Sequence, residues 1–135
     1  MKTKKPKRVD GLGGVFFRAR NPKRLAEWYR RHLGLPISEE GGQIFSVFRW
    51  KSTARSTRRS STIWAPFPKS SQYFGSRSQP IMLNYIVRDL DLLLRQLHKE
   101  KVKIIGKIEE SKYGRFAWIV DPEGQRIELW EAPRK

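Results

Sequence analysis

The chain has no cysteine, which excludes a disulfide framework and any thiolate-held metal. Histidine is nearly missing too: His32 and His98 are the only two, and both read as surface positions on helices. No apolar run approaches the roughly 20 residues that a membrane-spanning helix needs. The opening MKTKKPKRVDG is basic, yet no long apolar stretch follows it, so it does not read as a secretory signal. A cytoplasmic location is the resulting expectation. Acidic residues are scarce: 13 Asp and Glu stand against 29 Lys and Arg, a net charge of +16.

What is present suffices for one domain with a packed core. The 135 residues are 38% hydrophobic and 12% aromatic, a globular composition and not a disordered one. Positive charge concentrates in residues 1–8 and again at Lys51, Arg55, Arg58 and Arg59, within a Ser/Thr-rich stretch. The rest of the chain stays basic. Such a field attracts polyanions nonspecifically and says nothing about fold. Residues 1–10 read as a mobile basic tail.

Gly13–Arg20 (GGVFFRAR) then reads as a strand, with Val15, Phe17 and Ala19 on one face and Phe16, Arg18 and Arg20 on the other. Asn21-Pro22 is a helix start and Gly34 a helix stop. Between them Leu25, Trp28, Tyr29 and Leu33 recur at helical spacing, which predicts a buried stripe. An extended piece near 35–38, a turn at Gly41-Gly42 and a strand Gln43–Trp50 follow. Residues 51–60 read as a hairpin tip, and Ser61–Ala65 as a strand stopped by Pro66 and Pro68. The composition of 66–79, PFPKSSQYFGSRSQ, is that of a linker.

The second half repeats the pattern. Ile81–Val87 is a strand, Asp89 caps a helix with Leu90, Leu93, Leu94 and Leu97 inward, and strands follow at 102–108, 115–120 and 127–130. Setting Asn21 opposite Asp89, 68 residues on, aligns Val15 with Leu83, Phe17 with Tyr85 and Ala19 with Val87. Both halves therefore read strand, helix, strand, strand, strand, a tandem duplication. The final pair of strands is joined by Asp-Pro-Glu-Gly, in which Pro122 fixes φ and Gly124 can take φ > 0. That hairpin fixes side-chain parity: Arg126, Glu128 and Trp130 share one face, Ile127 and Leu129 the other. An acid, a base and an indole side by side suit a pocket wall better than a core.

The run DPEGQRIELWE resembles the closing hairpin of the glyoxalase / bleomycin-resistance / extradiol-dioxygenase (vicinal oxygen chelate) superfamily. The opening RARNPKRLAEWYRRHLGL is similar to a second hallmark of that family, and the resemblance covers about residues 11–132. It implies an α+β fold of two tandem βαβββ modules, forming a curled, cup-like mixed sheet with the helices outside. The modules would be 11–65 and 80–132, joined by the linker 66–79, in a domain spanning 11–135.

In that family His, Gln or Glu side chains from the first and last strands of each module hold a divalent ion. Those places fall here on Gly14, near Thr62, on Met82 and on Glu128. Glycine offers no donor, methionine is too soft for a hard ion, and a lone carboxylate does not hold a metal. The resemblance thus implies a cup without the family's metal or any other cofactor, and neither glyoxalase I nor dioxygenase chemistry.

By parity the cup wall comprises Phe16, Arg18, Trp64, Asn84, Phe116, Trp118, Arg126 and Trp130, besides Thr62, Met82 and Glu128. Aromatic walls with a few polar groups describe a small-molecule pocket, and Arg18 and Arg126 favour an anionic head group. The expected function is binding of a small anionic or amphipathic molecule. The alternatives are an isomerase- or lyase-type enzyme with Glu128 as general base or residual metal ligand, and a polyanion-binding module acting through the tail and the 51–59 loop. The resemblance also implies a homodimer, with no membrane partner.

Overall fold

In the computed structural model the described residues are 8–51 and 60–133. The basic run 1–7 and residues 52–59 of the expected hairpin tip lie outside them. Strand β1 (Val9–Ala19) begins earlier than the sequence suggests. Bulges between Val9 and Gly11 and between Leu12 and Gly14 break its alternation and hide its start. Residues 8–10, read as tail, are tied down instead. Arg8 makes a two-pronged bond to Glu100 at 3.0 and 2.8 Å, and Arg88 pairs with Asp10 at 3.1 Å.

Helix α1 (Pro22–Leu33) has the ends that its sequence predicts. Asn21 Oδ1 accepts from the Arg24 N–H at 3.0 Å, and Gly34, at φ 69°, closes the last turn onto the Arg30 carbonyl at 3.1 Å. Then come β2 (Ser38–Glu40), β3 (Gln43–Arg49), β4 (Ser61–Pro68) and β5 (Ile81–Val87). Helix α2 (Leu90–Lys99) starts at Asp89, whose side chain accepts from the Leu92 N–H at 3.0 Å. Strands β6 (Ile104–Ser111), β7 (Gly114–Val120) and β8 (Arg126–Glu131) complete the chain.

The strands form one eight-stranded mixed sheet in the order β2-β3-β4-β1-β5-β8-β7-β6. The order is symmetric about its middle. Each module places its last strand parallel to its first, β4 on β1 and β8 on β5, and the two first strands meet antiparallel at the seam. Val15 pairs with Leu83 there, the same two residues that the repeat sets in equivalent positions. The tandem βαβββ architecture is thus present within one chain, as an α+β fold.

Apolar side chains divide between the two faces of the sheet. Val87, Leu90, Leu93, Ala117 and Leu129 cluster between α2 and the sheet. Phe16, Ala65, Phe74, Met82 and Trp118 cluster on the opposite face. Full burial of a side chain such as Phe74 stabilises by about 1.5–3 kcal/mol.

Three expectations need correction. Strand β4 does not stop at Ala65 but runs to Pro68. Its ladder with β3 ends at Trp64, so Pro66 and Pro68 have a strand neighbour on the β1 side only, and their missing N–H groups face no ladder. Trp28, expected in the core, is 51% exposed, and Leu33 is exposed as well. The stripe Leu25–Trp28–Tyr29–Leu33 is wider than the contact with the sheet. Ala26 is the buried residue of α1, and its small side chain lets the helix lie close. Finally, 66–79 is not a solvent-borne linker. Phe74 and Gln79 within it are buried, and Phe74 packs into the apolar cluster with Phe16, Ala65, Met82 and Trp118.

Candidate functional site

The closing hairpin sets the site. Asp121 Oδ1 accepts from the N–H groups of Glu123 and Gln125, both at 2.9 Å, and the Gly124 N–H donates to the Asp121 carbonyl at 3.0 Å. Gly124 takes φ 81°, as the turn requires. Register then places Glu128 opposite Trp118 on β7 and beside Asn84 on β5. Ile127 and Leu129 pack on the helix side of the sheet. The parity read from the sequence holds for this strand.

Glu128 is 1% exposed. Its Oε1 accepts from Asn84 Nδ2 at 2.6 Å, and its Oε2 accepts from Trp118 Nε1 at 2.9 Å and from the Tyr73 hydroxyl. All of these donors are neutral, and no Lys or Arg among the described residues forms an ion pair with Glu128. Burial therefore pushes its carboxyl above the ordinary carboxylate range. The bonds from Tyr73, Asn84 and Trp118 oppose that push, and the charge of Glu109 adds to it. Burial, and then the charge of Glu128, push the Tyr73 phenol well above its usual value. Asn84 Oδ1 is buried without a partner. It lies where a side chain at residue 13 would project: a Cβ on Gly13 would stand 2.2 Å from it.

Above this floor opens a cavity of about 300 Å³. Phe16, Phe45, Phe67, Phe116 and Trp130 form its walls, with Ile63 and Ala65 between them. Phe116 and Trp130 stack at 6.1 Å with their planes 3° apart, and Phe67 and Tyr73 stack at 5.5 Å. Glu40 and Tyr113 line the cavity as well, and Lys112 pairs with Glu40 at 2.8 Å.

Of the residues singled out from sequence, Phe16, Asn84, Phe116, Glu128 and Trp130 line this cavity together. Trp118 lies behind Glu128 as a hydrogen-bond donor. Trp64 does not join them. It points to the helix side, 5.2 Å from Phe17 and 4.9 Å from Tyr29. The inward residues of β4 are Ile63, Ala65 and Phe67. Thr62 bonds away from the cup, donating to the Leu12 carbonyl at 2.6 Å and accepting from Trp50 Nε1 at 2.9 Å.

Nor do the two arginines reach the cavity. Arg18 donates to the carbonyls of Gln79 at 2.9 Å, Lys69 at 2.8 Å, Ser71 at 2.6 Å and Ser76 at 2.9 Å, and lies over the Phe74 ring at 4.7 Å. It is a strut for the segment between the modules. Arg126 lies across Gly75 and reaches the Tyr73 carbonyl at 3.4 Å. Neither neutralises Glu128.

Sequence reasoning missed Tyr73, Phe74 and Gln79. Tyr73 and Phe74 are adjacent large aromatics inside a polar run, a burial signal that the linker-like composition masked. Gln79 behaves as a substitute strand: its Oε1 accepts from the Arg126 N–H at 2.8 Å and its Nε2 donates to the Arg126 carbonyl at 2.9 Å.

The donor set does not suit a divalent metal. Among the described residues no group of three or more His, Cys, Asp or Glu side chains converges. Met82 is buried in the apolar cluster, Gly14 has no donor, and the inward side chains of β4 are hydrocarbon.

A cup of this topology defines a class, and residues 11–129 match the family model of the Glyoxalase/Bleomycin resistance protein/Dioxygenase superfamily. The chain belongs to that superfamily. Its fold is similar to methylmalonyl-CoA epimerase from Mycobacterium tuberculosis, with a TM-score of 0.66 and 22% identity over 97% of this chain and 93% of that one. A Streptomyces coelicolor methylmalonyl-CoA epimerase (E43Q) in complex with 2-nitronate-propionyl-CoA gives 0.66 at 11% identity, over 92% and 98% of the two chains. A catechol 2,3-dioxygenase gives 0.64 at 14% identity, where the likeness covers 95% of this chain but 42% of the longer one. No curated protein sequence matches the chain. No helix among the described residues is long and apolar enough to cross a membrane.

Proposed function

We propose that this chain binds a small, partly aromatic molecule in the cavity, with Glu128 as its polar anchor and without a divalent metal. The observation that carries the reading is a buried carboxylate, held only by neutral donors, at the floor of an aromatic-walled cavity. Burying a carboxylate costs free energy, and no countercharge here offsets it. A core would dispense with such a group; a binding site uses it. This reading keeps the amphipathic part of the expected ligand. The anionic part loses its support, because Arg18 and Arg126 are engaged with backbone carbonyls.

Trp118 and Trp130 flank the site and report on it. Titration of an aromatic small-molecule library should change their fluorescence in the native chain, and Glu128→Gln should weaken the hits. Mg2+, Mn2+, Zn2+ and Ni2+ should leave the thermal midpoint unmoved. A stoichiometric metal in the purified protein, or a library without hits, would end this reading.

An acid–base enzyme is the second reading, favoured by the direct bond between the Tyr73 hydroxyl and Glu128. Glu128 would take a proton from carbon beside a carbonyl, with the electron pair moving onto the carbonyl oxygen as an enolate and the Tyr73 hydroxyl hydrogen-bonding it. Epimerases are named among the similar folds. Deuterium uptake from heavy water into 2-substituted thioesters tests it; no uptake at millimolar substrate removes it.

A further inference from the structure

We infer that the ligand is a small organic cation, an amine or quaternary ammonium of aromatic-ring size, held between the rings with its charge toward Glu128. The inference rests on the cavity being the binding site. Its ground is an inversion of charge. The chain carries 29 Lys and Arg against 13 Asp and Glu, yet among the described residues no basic side chain lines the cavity, while Glu128 does without an ion-pair partner; Glu40 lines it as well but is paired with Lys112.

Each polar group that faces inward completes the same picture. Glu128 presents a carboxylate whose bonded partners are uncharged. Asn84 Oδ1, buried beside it, is an acceptor with no donor. Gln43 has its Nε2 committed to the carbonyls of Ile44 at 2.8 Å and Pro66 at 3.3 Å, which leaves its oxygen as the free end. A ligand entering this space meets acceptors and the negative faces of aromatic rings. Phe16, Phe45, Phe67, Phe116 and Trp130 supply those faces. Ring quadrupoles attract a cation within about 6 Å of the ring centroid, and desolvation strengthens that attraction. The donors that line the cavity are already committed: Tyr73 and Asn84 to Glu128, Gln43 Nε2 to two carbonyls, Trp130 Nε1 to the Tyr113 carbonyl and the Tyr113 hydroxyl to Glu40.

The size agrees. About 300 Å³ admits a ring bearing an ammonium group. A bound cation also removes the cost of the lone buried carboxylate, because it supplies the missing countercharge. Binding is therefore coupled to ionisation of Glu128. The groups facing that carboxyl are Tyr73 from the inter-module segment, Asn84 from β5 and Trp118 from β7, with Glu109 of β6 the charged neighbour.

The test uses the full chain and a matched set of probes: benzyltrimethylammonium, benzyl alcohol and benzoate, read by tryptophan fluorescence and calorimetry. The cation should bind at least about tenfold more tightly than the alcohol, and benzoate should be weakest. Glu128→Gln should lower the cation's affinity about tenfold and the alcohol's by clearly less. In the native chain, cation affinity should fall as pH is lowered through the raised ionisation of Glu128 toward the ordinary carboxylate range, while that of the alcohol stays level. This arm holds even if the variant folds poorly. Added salt should not weaken the cation, unlike nonspecific polyanion association. If the alcohol or benzoate equals or exceeds the cation, or pH leaves the cation unaffected, the inference fails while the cavity reading survives. If none of the three binds, the cavity reading fails with it.

Discussion

Replacing Arg18 by alanine separates two roles for the same side chain, strut and ligand clamp. In the structure its guanidinium donates to four backbone carbonyls of the segment that follows β4. The bonds to Lys69 and Ser76 are exposed, so water replaces them at little cost. Those to Gln79 and Ser71 are part-buried, and losing them strands two acceptors. At about 1 kcal/mol for each of these and about 0.5–1 kcal/mol for the contact with the Phe74 ring, the variant should lose about 3 kcal/mol. Urea denaturation measures that loss. Hydrogen exchange locates it: the N–H groups of Ser71, Gly75 and Gln79 bond within the segment at 2.9, 3.0 and 3.2 Å, and should exchange faster. Arg18→Lys should recover less than half, because an ammonium cannot fork to several carbonyls. A loss under about 1 kcal/mol, or unchanged exchange across 69–79, would refute the strut.

Glu128 carries a pH signature. Its carboxyl is raised by burial, so the folded state holds a proton that the unfolded chain has released. Stability should therefore be greatest at low pH within that window and decline as pH rises from the ordinary carboxylate range to the raised value. Glu128→Gln should flatten that slope in urea midpoints; an equal slope in both proteins would refute the assignment. Phe74→Ala should cost about 3–5 kcal/mol by thermal or urea unfolding, since the ring is fully buried. Asp121→Ala should cost about 1 kcal/mol by loss of the two turn bonds, with ligand binding unchanged. The homodimer implied by the family resemblance predicts a single species near twice 15.9 kDa in sedimentation velocity.

Some of this architecture could be read from residues alone, because local chemistry and tertiary structure agree there. Asn21-Pro22 and Gly34 bound α1 through their own backbone preferences. Asp-Pro-Glu-Gly fixes the last turn, and with it the direction in which Glu128 points. Strand β4 had no such anchor. The long stretch before it leaves parity free, and one residue of slip sends Trp64 to the helix side and Ile63 and Ala65 into the cup. Arg18 shows a different limit. Its face was right, but nothing local reveals that distant carbonyls saturate its donors. Tyr73 reaches Glu128 across 55 positions in sequence, a pairing that only the folded-back segment creates.

That folded-back segment bears on how the two halves stay together. Arg18 of the first module grips it at several carbonyls, and its Tyr73 is bonded to Glu128 of the second. The tether between the halves is thus a clasp fastened at both ends. Two chains could trade modules only by first undoing it, and that would leave Glu128 short of one of its three donors. Self-pairing of the modules and the full donor set of Glu128 are one and the same condition.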